Sequence, residues 1–135
     1  MLTFDECKKY HYEMWMWLSE HPGSDKIDWP GFDGINEHIP YLCFACYITS
    51  DGGKKLKDCL MCPIDWGVKP HDNAPCCDNF TLYDQWSMSC QSLEANLRMS
   101  DFSAYAEKKL KQEISSLAKA IANLEWTNKL EDQTT

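Results

Sequence analysis

Three stretches of the chain carry apolar residues at spacings of three and four, the period of an α-helix with one buried face. The first covers about residues 4–20, begins at the capping pair Thr3 and Glu6, and ends before His21-Pro22-Gly23. The second covers residues 82–97 and the third residues 101–126. We predict that these three helices pack together. The inward seam predicted for the third is Leu110, Ile114, Leu117, Ile121 and Leu124.

That seam is only about two heptads long, whereas coiled coils normally sustain three or more. It therefore indicates a contact between helices of one chain, and we expect a monomer.

Residues 22–42 are rich in proline and glycine, which exclude a long regular element. We expect an irregular loop anchored on the first helix by its apolar side chains, which are Trp29, Phe32, Ile35 and Tyr41. The same loop concentrates acidic residues. Four of them are predicted to present negative charge to a partner: Asp25, Asp28, Asp33 and Glu37.

Two C-x-x-C pairs separated by twelve residues follow this loop. Four thiolates at such spacing are typical of a tetrahedral zinc site, and a site closed by four sulfurs is structural rather than catalytic. Asp51-Gly52-Gly53 predicts a chain reversal midway, with residues 47–49 and 54–57 forming a short β-hairpin. The predicted zinc ligands are Cys43, Cys46, Cys59 and Cys62.

The other chemistry-bearing residues leave an alternative open at this site. Cys76, Cys77 or His71 could replace one of the four ligands, although adjacent cysteines rarely bind one ion together. Cys7 and Cys90 lie on apolar helix faces and are interpreted as core residues.

The net charge of −8 argues against direct binding of nucleic acid, which requires cationic surface. Lys54, Lys55 and Lys57 are the exception within the cysteine ribbon, and we interpret them as a partial balance for the thiolate charge. The chain has no stretch long and apolar enough to span a membrane and nothing that resembles a signal peptide. We therefore expect a cytoplasmic protein.

One pattern resembles a catalytic signature. His11-Tyr12-Glu13 followed by Cys43-x-x-Cys46 matches part of the zinc deaminase pattern H-x-E…P-C-x-x-C. Leu42 stands where that pattern has proline, and His11 lies on an apolar helix stripe. We interpret His11 as a core or interfacial residue and predict that the protein is not an enzyme.

The predicted fold class is α+β and mostly α: three long helices around a small zinc-knuckle ribbon with a short β-hairpin. We predict one domain over residues 1–135. It comprises an N-terminal helix and acidic loop (1–42), a metal ribbon (43–80) and a helical hairpin (81–127).

The cysteine knuckles and the tryptophans beside them resemble a family of small phage and prophage zinc proteins of Firmicutes. The residues that carry the resemblance are Cys43-Phe-Ala-Cys46, Cys59-Leu-Met-Cys62-Pro-Ile-Asp-Trp66 and Tyr83-Asp-Gln-Trp86. In size, acidity and metal site the chain is also similar to a type II-A anti-CRISPR metalloprotein. The resemblance to the phage proteins implies a mobile-element origin. The similarity to the anti-CRISPR metalloprotein implies a target in the basic channels of the RNA-guided type II nuclease.

The resulting functional expectation is a zinc-stabilised protein that inhibits a host defence nuclease by blocking its use of target DNA. One alternative is a zinc-ribbon adaptor or regulator of transcription or replication that uses residues 54–57. A weaker alternative is a zinc-dependent hydrolase or deaminase.

Overall fold

Four α-helices make up most of the fold in a computed structural model that describes residues 1–67, 81–99 and 103–128. They are α1 (Phe4–Glu20), α2 (Phe44–Thr49), α3 (Leu82–Arg98) and α4 (Ala104–Ala122). Short 3-10 helices lie between α1 and α3, at Lys26–Asp28, Pro30–Gly34, Pro40–Leu42 and Cys59–Met61. The described ranges contain no strand or sheet, only isolated bridges. The helical part of the predicted fold class is confirmed, and the β-hairpin is not found.

The long helices begin where their capping residues stand. In α1 the Glu6 N–H donates to Thr3 Oγ1 over 3.1 Å and the Thr3 N–H donates to Glu6 Oε1 over 3.0 Å, which forms the predicted capping box. Thr81 caps α3 and Ser103 caps α4 through their side-chain oxygens. The predicted bounds of α1 are confirmed and those of α3 are correct to one residue. The described part of the last helix is shorter at both ends than predicted.

Helix α4 packs against both α1 and α3 and forms the centre of the core. Ile114 and Ile121 are buried, as the seam predicts, and Ala118 is completely buried. The remaining seam leucines are partly buried against the same cluster. The inward direction of the predicted seam is therefore confirmed. Ala118, which the prediction did not include, is buried as completely as Ile121 and lets α4 approach its neighbours closely.

Aromatic rings join α1 to α3. Trp15 of α1 meets Trp86 edge to face at a centroid distance of 4.8 Å and Tyr83 at 6.0 Å. Such geometry places the positive edge of one ring on the negative face of another. These contacts complete the three-helix packing that the apolar periodicity predicts.

Residues 47–49, predicted as a strand, form the second half of α2 instead, so this prediction was wrong. Two local contacts explain the helix. The Cys46 N–H donates to Cys43 Sγ over 3.3 Å, which caps the first turn, and the Tyr47 N–H donates to the Cys43 carbonyl over 3.0 Å. Phe44 and Tyr47 are then buried on the side that faces α1. Burial of two aromatics at helical spacing outweighs the strand propensity of Tyr47-Ile48-Thr49.

The loop before α2 is anchored by fewer side chains than predicted. Trp29 is buried against Tyr10, Phe32 and Phe44, with ring centroids 5.0–6.2 Å away. Tyr41, however, is 68% exposed, so the prediction that it anchors the loop was wrong. The Tyr41 side chain lies on the surface beside the cysteine residues.

The residues after the second cysteine pair are attached to the chain beyond α4. The Asp65 N–H donates to the Glu125 carbonyl over 3.0 Å, and the Thr127 N–H donates to the Pro63 carbonyl over 2.8 Å. Within the described ranges, no helix combines the length and apolarity needed to cross a membrane.

Candidate metal and partner-binding sites

The first cysteine pair lies at the amino end of α2. Cys43 is the N-cap residue and accepts the hydrogen bond from the Cys46 N–H described above. A hydrogen bond from the Cys46 thiol, together with the Cys46 N–H and the charge of Lys26, lowers the pKa of the Cys43 thiol below its ordinary value. Thiolate is the form of cysteine that binds metals. The local fold of this pair therefore favours the chemical form that a zinc site requires.

The second pair brackets the 3-10 helix Cys59–Met61, where the Cys62 N–H donates to the Cys59 carbonyl over 3.3 Å. This 3-10 helix contacts α2, so the two pairs lie on adjoining elements. Across residues 1–67, 81–99 and 103–128, however, no three His, Cys, Asp or Glu side chains come together in an arrangement that would hold a metal ion. The structure brings the two pairs near each other without assembling the four sulfurs.

Two ammonium groups lie beside the first pair. Lys26 and Lys57 line a cavity of about 260 Å³ that Cys43 and Cys46 also line. Lys26 Nζ donates to the Tyr41 carbonyl over 3.0 Å, and Lys57 Nζ lies 4.2 Å from the centroid of the Tyr41 ring. Positive charge at this place stabilises thiolates. The position of Lys57 therefore fits the interpretation that lysines of the ribbon offset thiolate charge. Lys26, a second such residue, was not identified from the sequence.

Tyr41 and Leu42 hold an unusual backbone conformation between the acidic loop and the first cysteine. Their φ angles are +57° and +52°, which is the left-handed region. That conformation costs roughly 1–2 kcal/mol for each non-glycine residue. Two contacts to Tyr41 stabilise this backbone conformation. One comes from Lys26, which precedes the cysteine pair in the sequence, and the other from Lys57, which follows it.

His11 lines the same cavity but has a structural role. It is buried, and its Nε2–H donates to the Ile121 carbonyl over 3.0 Å, which joins α1 to α4. Burial lowers the pKa of His11 to about 4, so the ring is neutral at physiological pH. Glu13, the acid of the H-x-E pattern, is exposed on α1 and lies 3.9 Å from Lys9. In this structure His11 therefore joins two helices, and Glu13 faces solvent on α1.

The remaining described cysteines behave as apolar residues. Burial raises the pKa of Cys7 to about 12 and that of Cys90 to about 11, so both are neutral thiols. Their predicted place in or against the core is confirmed. The alternative ligands His71, Cys76 and Cys77 lie outside the described residues.

The acidic loop (residues 25–37) presents three of its four predicted acids to solvent: Asp25, Asp28 and Asp33. Its first turn is held by two hydrogen bonds from backbone N–H groups to carboxylate oxygens. The Lys26 N–H donates to Asp25 Oδ1 over 2.7 Å, and the Asp25 N–H donates to Asp28 Oδ2 over 2.8 Å. Ile27, which lies between these acids, is 68% exposed. The loop therefore offers fixed negative charge together with an exposed apolar side chain.

Glu37 differs from the other three acids because its carboxylate is used within the protein. It accepts hydrogen bonds from the Tyr47 hydroxyl and, over 3.0 Å, from the Leu2 N–H. The Tyr47 bond is the main reason that the pKa of Glu37 lies below its ordinary value. The sequence gives no sign of this difference, since only the tertiary fold brings residues 2, 37 and 47 together.

Comparison of the chain with known protein families, with curated proteins and with solved structures found no match.

Proposed function

We propose that this chain is a non-enzymatic, zinc-stabilised binding protein that inhibits a host defence nuclease, with the RNA-guided type II effector as the preferred target. The supporting observation is the acidic loop, in which the exposed Asp25 and Asp28 carboxylates are already fixed by hydrogen bonds from backbone N–H groups. Charge that is ordered before binding costs little conformational entropy when a partner arrives. The resemblance to phage zinc proteins supports this choice of target.

An acidic protein suits a partner whose channels bind nucleic-acid backbones. The net charge of −8 repels DNA and RNA but attracts the basic surface that grips them. Complementary charge sets mainly the encounter rate and the choice of partner. By covering such a channel, the protein would block the use of target DNA by the effector.

The four cysteines are proposed to bind one structural zinc ion. The first pair caps α2, the second pair brackets a 3-10 helix that contacts α2, and Cys43 is held towards the thiolate form. Lys26 and Lys57 supply positive charge beside the first pair. A tetrahedral site requires Zn–S distances of about 2.3 Å, so we expect metal binding to close the second pair onto the first.

Elemental analysis of protein purified without chelator tests this site, and we expect one zinc ion per chain. Cys59→Ser should lose both metal and cooperative melting, because metal-binding energy contributes directly to folding. Cys77→Ser is the matched control, since it leaves both pairs intact, and should keep the metal. Absence of metal from the wild-type protein, or its loss from the Cys77 variant, would contradict the assignment.

Binding to a purified type II effector, and inhibition of its DNA cleavage, tests the function. Asp33→Lys is the most informative single variant, because Asp33 is exposed and makes no cap, whereas Asp25 and Asp28 also hold the loop. We expect this variant to slow association, and the triple reversal of Asp25, Asp28 and Asp33 to do so more strongly. Added salt should have the same effect on the wild type.

The control is Glu113→Lys, which makes the same charge change at an exposed site on α4. Its association rate should remain close to that of the wild type, because only charge near the contact steers encounter strongly. If the wild-type protein neither binds the effector nor reduces cleavage, this target is wrong.

A further inference from the structure

An open groove is lined by the turn after α1 and by residues of α3. Its volume is about 430 Å³, and its walls include Gly23 and Asp25 on one side and Leu93, Glu94 and Leu97 on the other. Leu93 and Trp86 provide a buried apolar floor, and Leu97 is 51% exposed at one edge. The groove is continuous with the acidic loop, since Asp25 belongs to both.

The wall formed by the turn is fixed by backbone geometry. Gly23 has a φ of +104°, and a Cβ built on it would lie 3.5 Å from Leu93 Cδ2. The turn therefore lies in direct contact with α3, in a conformation that favours glycine. The Ser24 N–H donates to the His21 carbonyl over 3.0 Å and closes the turn. The groove thus exists before any ligand enters it.

Both charged residues among the described lining positions are acids, Asp25 on the turn and Glu94 on α3. Asp25 and Cys90 line the same groove, and the charge of Asp25 adds to burial in raising the pKa of the Cys90 thiol. Glu94 pairs with Arg98 one helical turn away, and both side chains of this pair are more than half exposed. An exposed pair of this kind is weak and can exchange partners.

We propose that this groove binds an arginine side chain from a basic segment of the protein partner. The aliphatic part of arginine would lie on Leu93 and Leu97, while its guanidinium would reach Asp25 and Glu94. Arginine fits better than lysine because its planar fork binds carboxylates through two hydrogen bonds and is weakly hydrated. The Arg98 pair shows that Glu94 accepts a guanidinium. This inference rests on the proposed function, to which it adds the chemistry of the contact.

The test uses two acetylated and amidated pentapeptides, Gly-Leu-Arg-Leu-Gly and the same sequence with citrulline in place of arginine. Citrulline has the shape of arginine without its charge. Titration is followed by ¹H–¹⁵N spectra of the full chain. We expect the arginine peptide to shift signals of the groove residues and to bind at least about tenfold more tightly than the citrulline peptide, because a charge-assisted hydrogen bond is lost.

Four variants test the named contacts. Asp25→Asn and Glu94→Gln should each weaken binding several-fold, and the asparagine retains an oxygen for the loop cap. Asp33→Asn lies in the same loop outside the groove and should have no effect. Arg98→Ala should tighten binding, because it removes the internal competitor for Glu94. Lys109→Ala, which removes a cation at an exposed site on α4, is the matched control for general electrostatic attraction and should tighten binding clearly less than Arg98→Ala.

Equal binding of the two peptides, no binding by the wild type, or an equal loss in the Asp33 variant would each overturn the inference. So would concentration-dependent dimerisation by sedimentation that Asp25→Asn abolishes, because a second copy would then occupy the groove. If the peptide results hold but the effector is not bound, only the proposed function fails. If the effector is inhibited equally by the groove variants, only this inference fails.

Discussion

The helical core (α1, α3 and α4) and the middle region (residues 22–67) are stabilised in different ways. In the helical core, buried side chains recur at helical spacing over many turns, and a capping residue begins each helix. In the middle region the chain turns repeatedly through 3-10 helices, with positive φ at Tyr41, Leu42 and Asp51. Stability is distributed over many contacts in the first region and depends on a few specific contacts in the second.

This difference predicts how each region responds to change. Loss of one side chain from the helical core leaves a cavity whose cost scales with the volume removed. Loss of one contact in the middle region releases a turn, and its cost depends on whether neighbouring contacts still fix the backbone.

Ile114→Ala should lower the free energy of unfolding by about 2–5 kcal/mol, because Ile114 is buried where α4 meets its neighbours. Leu117→Ala, at a partly buried seam position, should cost less. Urea denaturation followed by circular dichroism gives both values. Equal costs at the two positions would mean that burial does not distinguish them and that the packing of α4 differs from the one described.

Acid should destabilise the helical core through His11. Its folded pKa of about 4 lies below the unfolded value of about 6.5, so the unfolded chain binds the proton more readily. The stability contributed by neutral His11 is complete above about pH 6.5 and is lost as the pH falls towards about 4. The total is about 3 kcal/mol, at about 1.4 kcal/mol per pKa unit.

Unfolding free energies of the wild type and of His11→Gln at several pH values isolate this contribution. The difference between the two proteins should shrink as the pH falls through that window, since acidic residues titrate equally in both. A difference that stays constant from pH 7 to pH 4 would contradict the neutral, buried state of His11.

Gly31→Ala should destabilise the middle region by roughly 1–3 kcal/mol, which is typical of overpacking. A Cβ at this position would lie 2.1 Å from the ring of the buried Trp29. Gly34→Ala is the matched control, because no atom lies within 4 Å of the corresponding Cβ. Thermal melting of both variants should give a lower melting temperature for Gly31→Ala than for Gly34→Ala. Similar melting temperatures would show that the Trp29 indole moves aside without cost.

Tyr47→Phe should cost about 1 kcal/mol, the net contribution of a typical hydrogen bond. The lost hydroxyl donates to Glu37, which keeps the hydrogen bond from the Leu2 N–H. Because one donor remains, the carboxylate is not left unpaired. Hydrogen exchange at α2 should increase while exchange in α3 does not change. A global loss of protection would show that the two regions unfold together rather than separately.

The helical core could be predicted from the sequence because its signal is repeated. Several apolar positions in each helix report the same buried face, so one misleading residue changes little. The first residue of the last helix was harder to predict, since Ser100, Asp101 and Ser103 are all good capping residues. Only the contact between Ser103 and the Ala106 N–H shows which of the described residues begins α4.

The middle region could not be predicted to the same extent because each of its signals occurs once. Tyr47-Ile48-Thr49 has strand propensity, yet these residues are helical because Cys43 caps the helix and Phe44 is buried. The reversal at Asp51-Gly52-Gly53 was predicted correctly, since all three residues have positive φ. The roles of Lys26 and Glu37 depend on partners far away in the chain, and their sequence neighbours do not indicate them.

The contact between His11 and Ile121 has a consequence for biosynthesis. These residues are 110 positions apart, and the hydrogen bond between them belongs to the interface of α1 with α4. During translation the part of α1 that packs on α4 stays uncovered until α4 has left the ribosome, although α2 can already pack against α1. The two cysteine pairs emerge earlier and are only twelve residues apart, which makes their closure entropically cheaper. If the cysteine pairs bind zinc as proposed, the nascent chain should capture the metal before α4 packs on α1.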